Sequence, residues 1–381
     1  YTRSYAARVL RDRARYVVVG HGVVDGAKVR LIEDERTRPK KKRKRKRNKT
    51  YDKDVLRALQ AVWLICDGIC GKRLASYMKK IVGKLERMGE LHLEPETRRK
   101  LLCVSAATID RMLGPARKRY QLRARSQTKP GTLLKHQIPI RTFADWDELR
   151  PGFLEIDLVS HEGGNARGDY AYMLDATDVC TGWTETEAVR NRSQHFVFAG
   201  LEAPMIRFPF AILGIDSDNG GEFINHHLFR YCTENHITFT RSRRYRKNDN
   251  CFVEQKNYSV VRRTVGYCRH DTPEELRVLN ELYAVLRLCT NYFQPSMKLV
   301  EKARTGSKVK KTYDAAKTPY HRVMTSQWIS RQTKRELRSI YATLNPAKLI
   351  RDIDKLRDEL AGLVSSKTEA QQQADLEYIS S

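Results

Sequence analysis

Ile215-Asp-Ser-Asp-Asn-Gly-Gly-Glu-Phe223 is the stretch on which the fold turns. It closes an apolar run, Phe210-Ala-Ile-Leu-Gly-Ile215, that reads as a buried β-strand, and it breaks that run with two aspartates and a glycine pair. Asn219-Gly220-Gly221 supplies a tight turn, because glycine adopts backbone conformations that other residues avoid. The turn aims Asp218 back over the end of the strand. Asp216, two residues earlier on the same face, is its rival; Asp218 is preferred because Asn-Gly follows it directly.

Outward from this turn the chain alternates regular elements. Phe153-Leu-Glu-Ile-Asp-Leu-Val159, Tyr170-Ala-Tyr-Met-Leu-Asp-Ala-Thr177 and Gly182-Trp-Thr-Glu-Thr-Glu-Ala-Val189 read as three strands, the last with clear period-2 alternation. Helices are expected at residues 193–205 and 222–235, a short strand at 237–240, and a further helix from Cys251. Three strands followed by helix and strand in alternation predict a mixed α/β sheet with helices on its faces. Asp157 falls inside the first strand, between Ile156 and Leu158, where a carboxylate is costly unless paired or bound to a cation. Glu254 opens the last helix, in Asn248-Asp-Asn-Cys-Phe-Val-Glu-Gln-Lys-Asn257. Carboxylate oxygens are the donors that Mg²⁺ and Mn²⁺ prefer. Asp175 and Glu222 read as structural or capping residues, and His161 as a solvent-facing strand residue.

The Asp-Asn-Gly-Gly-Glu-Phe stretch at 218–223, the Tyr245-x-x-Asn-Asp stretch and the Val253-Glu-x-x-Asn stretch resemble the catalytic core of the DDE transposase and retroviral integrase superfamily. Thirty-five residues lie between Asp218 and Glu254, the spacing for which the integrase branch is named. One departure is Arg244, where many relatives carry proline before the loop tyrosine. The resemblance covers roughly residues 150–295 and implies an RNase H-like fold in which Asp157, Asp218 and Glu254 hold two Mg²⁺ or Mn²⁺ ions. It implies metal-dependent cleavage at the ends of a DNA element by water, then attack of the exposed 3′-hydroxyl on target DNA, carried out by at least a homodimer. Two other readings stay open: a non-catalytic DNA-binding regulator, and an RNase H-type nuclease that cuts without joining.

Charge names the partner class. The chain carries a net +27, and residues 1–50 hold eighteen Lys/Arg against five Asp/Glu, whereas residues 151–270 hold fourteen against fifteen. Basic arms beside a near-neutral core suit a nucleic-acid partner, which the resemblance implies is double-stranded DNA. Eight consecutive cations at 40–47 repel one another and should order only on a polyanion. Arg241, Arg243, Arg244, Arg246 and Lys247 crowd the loop before the glutamate helix, and Lys256, Asn257, Arg262 and Arg263 decorate that helix; all are assigned to phosphate contacts.

The flanks read as helical modules. Residues 1–18 read as a helix behind Ser4, within a partial DNA-binding segment and basic linker over 1–50. Residues 51–125 read as all-helical. Pro95-Glu-Thr-Arg-Arg-Lys-Leu-Leu102 and Ser105-Ala-Ala-Thr-Ile-Asp-Arg-Met-Leu113, joined by a short turn, suit a helix-turn-helix that would turn Thr108, Arg111, Arg117, Lys118 and Arg119 toward DNA. A linker follows at 126–150, then the catalytic core at 151–295, a small basic domain or arm at 296–330, and a helix and tail at 331–381. The apolar stripe Leu337, Ile340, Leu344, Leu349, Ile353, Leu356, Leu360, Leu363 suits either self-association or packing within one chain. No apolar run reaches 18 residues, no secretory signal follows Tyr1, and the scattered cysteines read as reduced thiols, with Cys66 and Cys70 as buried ones rather than half of a metal site. A cytoplasmic, nucleoid-associated protein is expected.

Overall fold

The computed structural model describes residues 16–24, 27–34, 50–119, 150–218, 220–242 and 251–380, which fall into two units, Tyr1–Thr50 and Tyr51–Ser381. The cationic tract at 40–47, the linker from 126 to 149 and the loop residues Arg243, Arg244, Arg246 and Lys247 lie outside the described residues.

In the first unit β1 (Tyr16–Val24) pairs antiparallel with β2 (Ala27–Asp34). This corrects the end of the helix expected over 1–18: Tyr16, Val17 and Val18 are strand. Consecutive β-branched valines lose side-chain freedom in a helix and fit a pleated strand. Residues 1–15 of that expected helix are outside the described set.

The second unit begins with four helices, α1 (Lys53–Ile65), α2 (Gly71–Arg87), α3 (Pro95–Leu102) and α4 (Ala106–Arg119). The Asp52 side chain caps α1 by accepting from the N–H groups of Asp54 and Val55 at 3.2 and 3.0 Å. The periodic residues Val55, Leu59, Val62, Trp63 and Cys66 are all buried. α2 and α4 pack so closely that a Cβ on Gly71 would lie 2.2 Å from the Ala106 carbonyl oxygen. The Gly71 N–H donates instead to Asp110 on α4 at 2.7 Å.

The sheet follows, with β3 (Phe153–Ser160), β4 (Tyr172–Asp178), β5 (Thr184–Val189), β6 (Gly214–Ser217) and β7 (Thr238–Arg241) in the order β5-β4-β3-β6-β7. β5, β4 and β3 run antiparallel to one another in turn, while β6 and β7 run parallel to β3. This is the RNase H-like arrangement, with α5 (Gln194–Arg207) and α6 (His226–Glu234) as connections. β6 starts later than the expected strand at 210, because the N–H groups of Leu213 and Gly214 are both spent on the carbonyl of Gly152. α7 (Cys251–Lys256) continues as a π-helical segment (Asn257–Arg262) and a last turn (Arg263–Val265), and α8 (Pro273–Phe293) packs on β5.

The basic region after the sheet is a hairpin, β8 (Leu299–Thr305) with β9 (Lys308–Tyr313), then α9 (Pro319–Thr325), α10 (Arg331–Thr343) and α11 (Pro346–Ser380). Part of the C-terminal stripe packs within the chain: Leu360 is buried against Val278, Leu279, Leu282 and Tyr283 of α8, with Leu356 and Leu363 beside it, whereas Ile340 is exposed. One apolar cluster joins the helical module, the sheet and the C-terminal helices, from Leu59 and Tyr77 through Ile156 and Phe293 to Leu337 and Ile353. Among the described residues, no helix is long and apolar enough to cross a membrane.

The join has a polar pin. Lys84 of α2, 2% exposed, donates to the carbonyls of Tyr341 and Ala342 at the end of α10, at 2.8 and 3.0 Å. Lys84→Met should cost about 1–3 kcal/mol by leaving those carbonyls unmatched. Urea unfolding followed by tryptophan emission and by circular dichroism should show one shared transition moved to lower denaturant; an unmoved midpoint would mean the pin carries nothing.

Candidate active site

Two neighbouring strands and one helix build the site. β3 and β6 pair in parallel with Glu155 opposite Asp216 and Ile156 opposite Ser217, so Asp157 and Asp218 come next on adjacent strands. Asp218 is one residue past the end of β6, and the Gly220 N–H donates to its Oδ1 at 2.7 Å, the tight turn expected there. Its rival Asp216 is fully buried and accepts the Thr240 hydroxyl of β7 at 2.5 Å, which makes it part of the sheet interior.

α7 is fastened along β3 at three points. The N–H groups of Phe252 and Val253 donate to Oε2 of Glu155 at 2.8 and 2.9 Å. Asn257 Nδ2 donates to Asp157 Oδ2 at 2.6 Å, and Arg262 Nη2 donates to the Ser160 carbonyl at 2.7 Å. Glu155 was not singled out from sequence. Its signal was present: it lies two residues before Asp157, on the same face of an apolar strand, and is fully buried.

The acids disturb one another. Burial, then the charge of Asp218, raises the Asp157 carboxyl to about 8. Asp175 pairs with Asp157 across β3 and β4, is fully buried, and is raised by burial. Lys256 is lowered by burial and held up by Asp175, so these two share a charge inside the site. Glu155 is raised well above the carboxylate range by burial, against the pull of the Val253 N–H.

Asp157 and Asp218, at adjoining strand ends and neither fully buried, are the carboxyl groups that could offer oxygen donors to a hard divalent cation. Glu254 stands exposed on the first turn of α7. Among the described residues, no group of three His, Cys, Asp or Glu side chains is gathered closely enough to hold a metal ion.

Several expected DNA contacts are engaged within the chain instead. Arg262 spans the Ser160 carbonyl and the Tyr267 ring, 4.8 Å from its centroid. Arg263 donates to the backbone and side chain of Asp67, both at 2.9 Å, tying α7 to the helical module. Asn257 serves Asp157, and Lys256 faces Asp175. The π-helical turn also breaks the 3.6-residue spacing that would put 254, 257, 258, 261 and 262 on one face. In the helical module Arg117 is spent on Asp110 at 2.5 Å and on the Ile69 carbonyl at 3.2 Å, and Arg111 leans on Thr108 at 3.0 Å. Arg111 and Lys118 remain exposed, and Arg241 closes β7 half-buried. His161 corrects another expectation: it is fully buried, its ring 5.2 Å from that of His270, because its backbone pairs with Ala171 and draws it inward.

A mixed five-stranded sheet with acids at adjoining strand ends defines an integrase-type core, and residues 148–247 match the family model described as "Integrase core domain". An uncharacterised protein of Sinorhizobium fredii (strain NBRC 101917 / NGR234), y4rM, is 42% identical over 272 residues, covering 71% of this chain and 78% of that one. The chain belongs to the DDE transposase and integrase superfamily. Among solved structures, the catalytic core of BIV integrase aligns at 16% identity and TM-score 0.28, over 45% of this chain and 91% of that one. The HTLV-2 integrase catalytic core in complex with magnesium aligns at 13% identity and TM-score 0.29, over 38% and 90%.

Two outcomes follow from this geometry. Folded, Asp157 keeps its proton to about pH 8; unfolded, it releases it near the ordinary 3.8. Between those values the folded state binds more protons, so stability falls as pH rises through the window. In EDTA, Asp157→Asn should unfold at a higher temperature than the wild type at pH 8, and the two should converge near pH 4; a constant gap would refute the assignment. Glu155→Ala should speed hydrogen exchange at the Phe252 and Val253 amides by about tenfold, the scale of a lost helix cap. Glu155→Gln, which keeps one acceptor oxygen, should stay close to wild type.

Proposed function

We propose that the chain is a DNA transposase or integrase that cleaves at element ends and joins the freed 3′-hydroxyl to target DNA. The observation that carries this reading is the pair Asp157 and Asp218 on adjacent parallel strands, with the helix bearing Glu254 fastened to the same strand at Glu155 and Asp157. Mg²⁺ or Mn²⁺ ions held by Asp157, Asp218 and Glu254 would neutralise the attacking and leaving oxygens of a phosphodiester. The chain's own residues set the frame. Glu155 fixes the start of α7, Asn257 fixes the Asp157 carboxyl, and the Gly220 N–H orients Asp218. No side-chain nucleophile is required, since water and then a DNA hydroxyl attack in turn.

Double-stranded DNA, at element ends and at target, is the proposed partner. Support comes from the net +27 and from the exposed Arg111 and Lys118 on α4, the second of two successive helices that would serve as a helix-turn-helix. Joining two ends calls for at least a dimer on DNA.

Purified protein, Mg²⁺, DNA carrying the ends that flank its gene, and a plasmid target provide the test. Wild type should nick and join. Asp157→Asn, Asp218→Asn and Glu254→Gln should each lower both steps by at least about a hundredfold with DNA binding retained, the scale of losing one charge-stabilising group. Nicking without joining would mark a nuclease, and binding without either would mark a regulator; both outcomes overturn the proposal.

A further inference from the structure

Away from the acids, a cleft of about 310 Å³ opens between the turn that joins β4 to β5 and the end of α9, lined by Cys180, Lys317, Arg322, Ser326, Gln327 and Trp328 among others. The Trp328 indole is 52% exposed, the largest side chain among the apolar residues left open to solvent in the described part of the chain. The guanidinium of Arg150 lies 5.3 Å from its ring centroid. Among the described residues no acidic side chain lines the cleft, while Lys317 and Arg322 do. Arg322 is fixed in place by Asp314, at 2.6 Å, and by the Ser296 carbonyl, at 2.9 Å, and its buried Nε has no hydrogen-bond partner among the described residues. Ser326 and Gln327 bring polar groups able to meet the edge of a planar heterocycle.

A flat apolar face exposed beside cations, with no anion in the wall, matches an unpaired nucleobase and its phosphate. Base-on-aromatic stacking accepts any base, and the neighbouring cations take the backbone charge. The cleft also adjoins the candidate site through one side chain. Lys298 donates to the carbonyls of Val179 and Cys180, and its ammonium lies 5.8 Å from the centroid of Phe252, two residues before Glu254.

We propose that this cleft captures an unpaired base of the DNA substrate by stacking it on Trp328, with Lys317 and Arg150 on the flanking phosphates. The inference rests on the DNA-joining reading above and adds to it a site for single-stranded character. Two oligonucleotide probes serve, a blunt duplex and the same duplex with a three-base single-stranded overhang, each bound to the full chain at fixed salt. Trp328→Ala should weaken binding of the overhang probe by about tenfold and leave the blunt duplex unchanged, while Trp328→Phe should restore most of the loss. The tryptophan emission present in wild type and missing in Trp328→Phe should be quenched by iodide in the free protein and by the overhang probe on binding.

Equal affinity of wild type and Trp328→Ala for the overhang probe overturns the inference and leaves the DNA reading standing. So does a Trp328 signal that iodide cannot reach in the free protein. Failure of the wild type to bind either probe overturns the DNA reading, and this inference with it.

Discussion

The fastening of α7 along β3 is the constraint on which the site depends. A short helix cannot hold a fixed angle against a sheet by apolar contact alone, and this one loses regular α-helical geometry after one and a half turns. Four hydrogen bonds at three points supply what packing does not. They fall at Glu155, Asp157 and Ser160, almost evenly along the strand, so helix and strand run side by side with little freedom to slide. Arg263 extends the fastening to Asp67 of the helical module, so the module and the acids share one mechanical frame.

That frame gathers groups that would separate if free. Glu155, Asp157, Asp175 and Asp216 lie within three adjacent strands, with Asp218 one residue past the end of β6; burial favours the neutral forms of Glu155, Asp157 and Asp175, and neighbouring acids add to it at Glu155 and Asp157. Stability must therefore come from elsewhere: from the cluster running from Leu59 to Ile353, and from satisfied buried pairs such as Glu185 with Trp183 and Arg287. Sites that collect like charge at a cost in folding energy are where ligands of opposite charge repay it.

The cations divide into two populations that composition alone does not separate. Arg117, Arg262 and Arg263 are long side chains turned inward to backbone carbonyls and acids, where they hold elements together. Arg111, Lys118 and the rim of the Trp328 cleft face outward. Guanidinium is suited to both tasks because its fork of donors satisfies a carbonyl as readily as a phosphate. A basic residue in a sequence is therefore a candidate contact only until its partners within the chain are known.

Much of this was legible in the order of residues. Strand and helix periodicities and the broken apolar run at Ile215 pointed to the sheet and to Asp157 and Asp218 at adjoining strand ends, because burial imposes a local period and a glycine turn has a local cause. The short helices at Pro95 and Ala106 were equally local. Partners distant in the chain were not legible. Nothing in the order of residues says that Glu155 would cap a helix 97 positions away, that Arg262 would reach Ser160 rather than solvent, or that His161 would turn inward against His270. Nor did the apolar stripe near the C-terminus say which surface it would cover. A sequence states what each segment must bury; which neighbour covers it, and which donor meets which acceptor, is decided only when distant segments compete for the same space.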